Sequence, residues 1–510
     1  MTGPARRSAR ILRNTVSNSL GRAVSVATTF FLTPFILHSL GETAFGLWVL
    51  AQVVVSYGSL LDLGMGSAII KYVAEVHAKQ DSAGAHRLLA TATRLYLALA
   101  VVALAIGLTV ATQAYRVVDL SRGDERSLTA VLAIVTVGFS INLAATPATA
   151  TLRGLQRYDI TNVLTVSNVL ANAALTILVL SRGGDVVAMV AVTVPVALVT
   201  QVVAITVVRR LHPAFALRWS PGSRATARRL TTFGLTLTVG QLALLLQKKS
   251  SEIIVGTMLA VSAVTPYALA QRLSELPHVI SDQFIKVLLP VASELNASGD
   301  SAPLRQLYLV STRITLALML PLALCAAVLA GDLLELWVGA EYRDNAALVV
   351  VLVLASVALT SQWPAGSVLQ GMDRFGPVAV AALVSGVANV ILTIALVGPY
   401  GLMGVALGTL VPTVAEAFLF VLPFTLRALH VPFRQLVTHV AAPVLLPVAP
   451  CVLVLLLTQR LVPGPTWLGV IASGLLAVAV YQAVYLLMPI ASQERALVTR
   501  RLRAHTRRGR

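Results

Sequence analysis

Between Leu230 and Leu259 the chain reads LTTFGLTLTVGQLALLLQKKSSEIIVGTML. The run exceeds the roughly 20 apolar residues that cross a bilayer, yet it carries Gln247, Lys248, Lys249 and Glu252 well inside it. An ionisable side chain at membrane depth costs at least ~2.5–3.5 kcal/mol on insertion scales, so it faces a protein interior or a water-filled path. Lys248 and Lys249 stand four and three residues before Glu252, spacings that meet on one helix surface. The next apolar run adds Arg272 and Glu275, again three apart, and then Asp282. Lys248, Lys249 and Arg272 outnumber Glu252 and Glu275. Such a surplus suits a phosphate or pyrophosphate group, whose oxygens accept strong charge-assisted hydrogen bonds. The alternative is internal neutralisation, each cation pairing with its own carboxylate.

Other side chains are candidates for the same chemistry. Arg22, a turn or so inside the first apolar run, either joins the cationic set or snorkels to the headgroups. Asp62, in L-L-D-L-G-M-G-S-A, sits among glycines that permit close helix contact or a local break; it could gate, bind a coupling ion or hold a polar contact. Gln52 and Gln271, in mid-span, fit interhelical hydrogen bonds. Arg94 and Arg313 read as anchors, His38 as interfacial, and Cys325 and Cys451 as buried structural thiols. No Walker A loop, H-E-x-x-H or Cys/His cluster occurs. The expectation is therefore no enzyme, no cofactor and no metal. Without an ATP site, transport would run downhill or on an ion gradient.

The elements that hold these residues follow from composition. Of 510 residues 57% are hydrophobic and only 12% charged, against about 25% charged in soluble domains. The class is an all-α polytopic membrane protein, since lipid requires each spanning segment to satisfy its own backbone. Fourteen spans can be placed, at roughly 17–41, 44–68, 88–114, 128–150, 160–180, 186–208, 230–256, 260–286, 306–330, 346–367, 377–397, 404–426, 440–458 and 467–489. Of the 39 Lys and Arg, 27 then lie in the termini and the connections on their side, 6 lie opposite, and 6 lie within spans. By the positive-inside rule both termini are cytoplasmic, in the cytoplasmic (inner) membrane. The net charge of +18 is thus a topology signal and not a nucleic-acid footprint. Arg6, Arg7, Arg10 and Arg13 precede a run too long for a signal-peptide core, which reads as an uncleaved first span.

The chain also repeats. At an offset of 219, Gly21, Ala51-Gln52, Glu75, Asp81-Ser82-Ala83 and Thr93-Arg94 meet Gly240, Ala270-Gln271, Glu294, Asp300-Ser301-Ala302 and Thr312-Arg313. At 217, Pro147, Leu152, Gly154, Arg157, Asn172 and Thr176-Ile177 meet Pro364, Leu369, Gly371, Arg374, Asn389 and Thr393-Ile394. Six spans are duplicated into six more. The expected division is a lobe at 1–208, a cytoplasmic linker at 209–229, a second lobe at 230–439, two extra helices at 440–490 and a basic tail at 491–510. Parallel repeats are related by an axis along the membrane normal. The first-lobe counterparts of Lys248, Lys249 and Glu252 are Thr29, Phe30 and Thr33. A charge cluster in one copy only reads as acquired for a ligand.

The stretches LTPFILHSLGETAFGLWVL and YGSLLDLGMGSAIIKYVAE in the first lobe, with GTMLAVSAVTPYALAQRL, LWVGAEY, VLQGMDRFG and GPYGLMGVALGTL in the second, resemble the polysaccharide-biosynthesis branch of the multidrug/oligosaccharidyl-lipid/polysaccharide (MOP) flippase superfamily, the Wzx-type transporters. The resemblance covers spans 1 to 12. It implies a V-shaped two-lobed bundle that moves a polyprenyl-pyrophosphate-linked oligosaccharide to the outer leaflet, with basic residues in a central cavity, a role open to Lys248, Lys249 and Arg272. It also implies an acidic residue ahead of I-I-x-G in the seventh span, the place of Glu252. Membrane lipids, a polymerase or glycosyltransferases, and H+ or Na+ are the implied further partners. Two other readings stand beside it: a drug or cation antiporter using Glu252, Glu275, Asp62 and Asp282, and a non-transporting scaffold for assembly enzymes bound through the tail from Arg495 to Arg510.

Overall fold

The computed structural model describes residues 4–118, 120–215, 222–297, 301–461 and 464–489. The basic tail and the centre of the linker lie outside them. Among the described residues every regular element is helical. They fall into two compact units that divide between Thr265 and Pro266.

The first unit holds α1 (Pro4–Gly58), α2 (Met65–Ala78), α3 (Ser82–Gln113), α4 (Arg122–Gly154), α5 (Tyr158–Ser181), α6 (Val186–Ala191), α7 (Thr193–Leu211) and α8 (Arg224–Met258), and it ends inside α9 (Val261–Glu275). Several helices begin where a short polar side chain accepts from an orphan N–H: Asp81 from Gly84 at 2.8 Å, Asp185 from Ala188 at 2.8 Å, Ser223 from Thr226 at 3.3 Å. The span from Gly21 to Asp62 runs 42 residues, which at 1.5 Å per residue is about twice the ~30 Å hydrocarbon core. It is two crossings joined at Gly41, whose φ of 78° and ψ of 172° interrupt the helix. Gly64, at φ 64°, lies against α8, where a Cβ would stand 2.4 Å from the carbonyl oxygen of Gly234. Small residues drive helix contact in lipid by letting backbones approach, and this pair ties α8 to the turn before α2.

The second unit continues through α10 (His278–Ala297), α11 (Ser301–Val328), α12 (Ala330–Val338), α13 (Ala346–Ser361), α14 (Trp363–Gly371), α15 (Gly376–Ala415), α16 (Leu422–Ala428), α17 (Phe433–Leu436), α18 (Ala442–Leu445), α19 (Val448–Leu461) and α20 (Trp467–Leu487). Residues 376–428 form a 53-residue helical span broken at Gly401 (φ 55°). Among the described residues ten helical spans are long and apolar enough to cross a membrane. Counting the 42- and 53-residue spans as two crossings each, and adding the charged segments 224–258 and 261–297, gives fourteen. The last two helices dock on α11: Gln482 Nε2 donates to the Ala317 carbonyl at 2.8 Å and Gln459 Nε2 to that of Val328 at 3.2 Å. The repeat is visible in the backbone. α3 and α11 start at Ser82 and Ser301, 219 apart; α4 and α14 end at Gly154 and Gly371, 217 apart; and Gln156 and Asp373, also 217 apart, share φ 58°.

Candidate functional site

α8 packs in the first unit against α1, α2 and α3. On its buried side Gln247, Ser250, Ser251 and Glu252 are all withdrawn from solvent, Glu252 to 1% exposure. Lys249 Nζ donates to Glu252 Oε1 at 2.8 Å, its own side chain remaining 34% exposed. The three-residue spacing thus forms an ion pair, and a carboxylate that would be costly alone is neutralised where it sits. Lys248, half-buried, is the next residue on the same helix. Tyr57 of α1 donates its hydroxyl to the Leu245 carbonyl at 3.4 Å, fixing α1 beside this turn.

Asp62 lies at a real break in the chain: Leu63 (φ 48°) and Gly64 (φ 64°) turn the backbone before α2 starts. Its carboxylate accepts from the hydroxyl of Tyr96, itself fully buried, and from the Gly66 amide at 3.3 Å. It is thus engaged with α3 and the start of α2. Arg22 is exposed on α1. Arg272 and Glu275 are half-buried, one turn apart at the end of α9, in the second unit. Asp282 belongs to α10, and its side chain lies outside the described residues.

The N-terminal end of α8 is tied to α2 by charge. Arg229 stands 2.9 Å from Glu75 and 4.1 Å from the Tyr72 ring centre, while Lys79 meets Glu75 from the other side at 2.9 Å. The Lys79 hydrogen bond, with the charges of Arg229 and Lys79, holds the Glu75 carboxyl below the usual carboxylate range. His212, just past the end of α7, faces His77 at a ring separation of 6.3 Å. Burial, then the charges of His77 and Arg157, hold its pKa below the ordinary imidazole value.

A second feature has no charge at all. A cavity of about 460 Å³ within the first unit is lined by Thr28, Trp48, Gln52, Asn142, Asn172 and Thr176 among others. Gln52, expected from its mid-span position to bond between helices, instead stands in this wall, and among the described residues its side chain makes no hydrogen bond. Neither Tyr96 nor Asn142 stands out by type or spacing; Gln52 is marked by its mid-span place, and Asn172 and Thr176 by their recurrence in the repeat.

A sequence profile of polysaccharide biosynthesis proteins matches residues 11–296, more than half of the chain. The chain belongs to that family. Over 504 residues it is 23% identical to the uncharacterized membrane protein EpsK of Bacillus subtilis strain 168, covering 96% of this chain and 97% of that one. It is 22% identical over 156 residues to the probable low-salt glycan biosynthesis flippase Agl15 of Haloferax volcanii, covering 31% of this chain and 33% of Agl15. Among solved structures, the fold is similar to that of the lipid II flippase MurJ in an inward closed conformation, with TM-score 0.70 and 11% identity over 93% of this chain and 99% of MurJ. It is similar also to an inward-facing multidrug resistance MATE family transporter of the MOP superfamily, with TM-score 0.68 and 18% identity over 80% of this chain and 95% of that one. This member of the polysaccharide biosynthesis family is a multi-pass membrane protein with the MOP fold.

Proposed function

We propose that this protein translocates a polyprenyl-(pyro)phosphate-linked oligosaccharide across the cytoplasmic membrane by alternating access, for assembly of a cell-surface polysaccharide. The carrying observation is the Lys249–Glu252 ion pair with Lys248 beside it, in a stretch of α8 from Leu230 to Met258 that holds no other charge, in a family of polysaccharide biosynthesis proteins. Lys248, Lys249, Arg272 and Arg22 bind the phosphate groups. Glu252, Glu275 and Asp282 gate or couple to H+ or Na+. Asp62, bonded to Tyr96 at the break between α1 and α2, acts as a hinge for gating. The moving bodies are the repeat units 1–208 and 230–439 joined by the linker 209–229, with residues 440–490 an accessory pair. Both termini are cytoplasmic, and the basic tail from 491 rests on anionic lipid at roughly 1 kcal/mol per arginine near the surface.

The test is leaflet-resolved accessibility of a polyprenyl-pyrophosphate oligosaccharide in vesicles holding the purified protein. Lys248→Ala leaves the Lys249–Glu252 pair in place, so it separates anion binding from folding. Translocation should fall at least ~10-fold in Lys248→Ala and further in Lys248→Ala/Lys249→Ala, about the loss of one charge-assisted contact per step. Equal rates in wild type and both variants would remove the cationic site. Proton-coupled efflux of small cations without lipid translocation would instead favour the antiporter.

A further inference from the structure

The uncharged cavity of the first unit is unlike the charged helix beside it. None of its twenty lining residues carries a formal charge, and its volume falls within the ~300–1,000 Å³ of small-ligand sites. Its amides are held in place by one another. Asn172 Nδ2 donates to the backbone carbonyl and the Oδ1 of Asn168 at 2.9 and 3.0 Å, and Asn168 Nδ2 donates to Thr200 Oγ1 at 3.0 Å. Gln201 Nε2 donates to Asn142 Oδ1 at 2.7 Å, while Asn142 Nδ2 donates to the Gly138 carbonyl at 2.9 Å. With both Nδ2 bonds spent on Asn168, Asn172 presents its Oδ1 as a buried acceptor with no hydrogen-bond partner. Leaving such an atom unsatisfied costs roughly 1–3 kcal/mol, and it is Gln52, exposed in the same wall, whose amide offers a ligand both a donor and an acceptor.

We infer that this cavity is a subsite for a neutral sugar ring of the transported glycan. The inference rests on the flippase reading and names what the charged helix does not handle. A sugar offers hydroxyls that both donate and accept, the complement of a wall of amides and hydroxyls. Its apolar C–H face fits the ring of Trp48 in the same wall. A uronic acid or a phosphate would meet a wall with no countercharge to offset its desolvation. The hollow holds a ring or two and not a whole oligosaccharide. Phosphate and sugar are thus recognised by different elements, cations on α8 and amides on α4 and α5.

The test uses the full chain in nanodiscs and saturation-transfer-difference NMR with methyl β-D-glucopyranoside, methyl β-D-galactopyranoside and methyl N-acetyl-β-D-glucosaminide, and methyl β-D-glucuronide as the charged control. At least one neutral glycoside should receive saturation and the glucuronide at most a fifth as much. The transfer should fall at least fivefold in Gln52→Leu, whose side chain bonds nothing, and in Thr176→Val, which preserves shape. Inorganic pyrophosphate binding, measured in parallel by calorimetry, should be unchanged in both variants and lost in Lys248→Ala/Lys249→Ala. No transfer to any neutral glycoside, or transfer that both variants leave intact, overturns the sugar subsite while the pyrophosphate arm still stands. Glycoside binding at the cavity without pyrophosphate binding keeps the subsite and removes the flippase's anion site. A glucuronide signal equal to the neutral ones overturns the neutrality on which the assignment depends.

Discussion

Asn172 and Thr176 in the first unit and Asn389 and Thr393 in the second are repeat partners, 217 residues apart, set in contrasting surroundings. The first pair lines a cavity of about 460 Å³. In the second, Asn389 and Thr393 are 1% and 0% exposed. A neighbouring helix segment closes on the second pair. Gly408 comes so close that a Cβ on it would stand 2.4 Å from Thr393 Oγ1 and 2.7 Å from its Cα. Its partner 217 residues earlier is Ala191, in a register pinned by Gly184 with Gly401 and Pro195 with Pro412. Trp48 and Tyr267, 219 apart, follow the same division: the tryptophan lines the cavity and the tyrosine is 1% exposed. Duplication kept the polar side chains in both copies. In the second copy Gly408 sets backbone against Thr393, while Ala191 in the first is exposed and stands outside the cavity wall.

That account is most exposed at Gly408. Gly408→Ala should destabilise the protein by about 2–3 kcal/mol, because the atoms it meets are backbone and a whole helix must shift. Ala191→Gly, the reverse exchange in the first unit, should cost only about 1 kcal/mol, the ordinary helix-interior penalty. Thermal unfolding of both variants in detergent checks the ratio. Equal losses would mean that Gly408 does not hold the second copy shut.

A smaller effect separates the other diverged positions, Thr33 and Glu252. Both are 1% exposed. Thr33 donates to the Thr29 carbonyl of its own helix at 2.7 Å, whereas Glu252 takes its ion pair from Lys249. Lys249→Ala should cost about 2 kcal/mol, less than the 3–5 of a fully buried pair because the lysine is a third exposed. Lys249→Ala/Glu252→Gln should recover most of it by removing the charge. Thr33→Val should stay under about 1 kcal/mol, the value of one local hydrogen bond. A double variant no more stable than Lys249→Ala would show that the carboxylate is held by something other than this lysine.

Much of the fold could be read from the residues. Span count, the repeat and its change of register all follow from glycines, prolines and charges matched in order, because these residues fix backbone breaks and helix ends that recur in both copies. The lysines and Glu252 announced themselves by being ionisable in an apolar run. The cavity did not. Asn, Gln and Thr within a membrane helix ordinarily bond to a neighbouring helix, as Gln52 was expected to, and sequence carries no sign of how closely the neighbour packs. Asp62 was ambiguous for the same reason: its glycines told of a break, but its partner Tyr96 lies 34 residues away on another helix. The domain limits and the roles of Arg22, Arg272, Glu275 and Asp282 stay proposals, since they concern bodies and contacts that local pattern does not encode.

The last contrast lies within the first unit, between the chargeless cavity and the titrating junction where α2 meets the linker and α8. No group lining the cavity ionises near neutral pH, so glycoside binding should be flat from about pH 5 to 8. The junction should not be. His212 has a pKa held below the ordinary value, mainly by burial, so the folded state favours the neutral ring. Its contribution to stability is complete above about 6.5, the unfolded value, and is lost as pH falls through the folded value. Glu75, held low by Lys79 and Arg229, follows the same sign in a lower window: its contribution is present above about 4.3 and lost only below that. Hydrogen exchange in residues 209–215 and 222–229, corrected for its intrinsic pH dependence, should therefore rise from pH 7.5 to pH 5 as His212 takes a proton. His212→Phe should flatten that rise and Arg229→Gln should not, since Glu75 is still ionised there. If glycoside binding weakens together with the exchange change, protonation at the junction reaches the cavity, and the two regions work as one device instead of two independent ones.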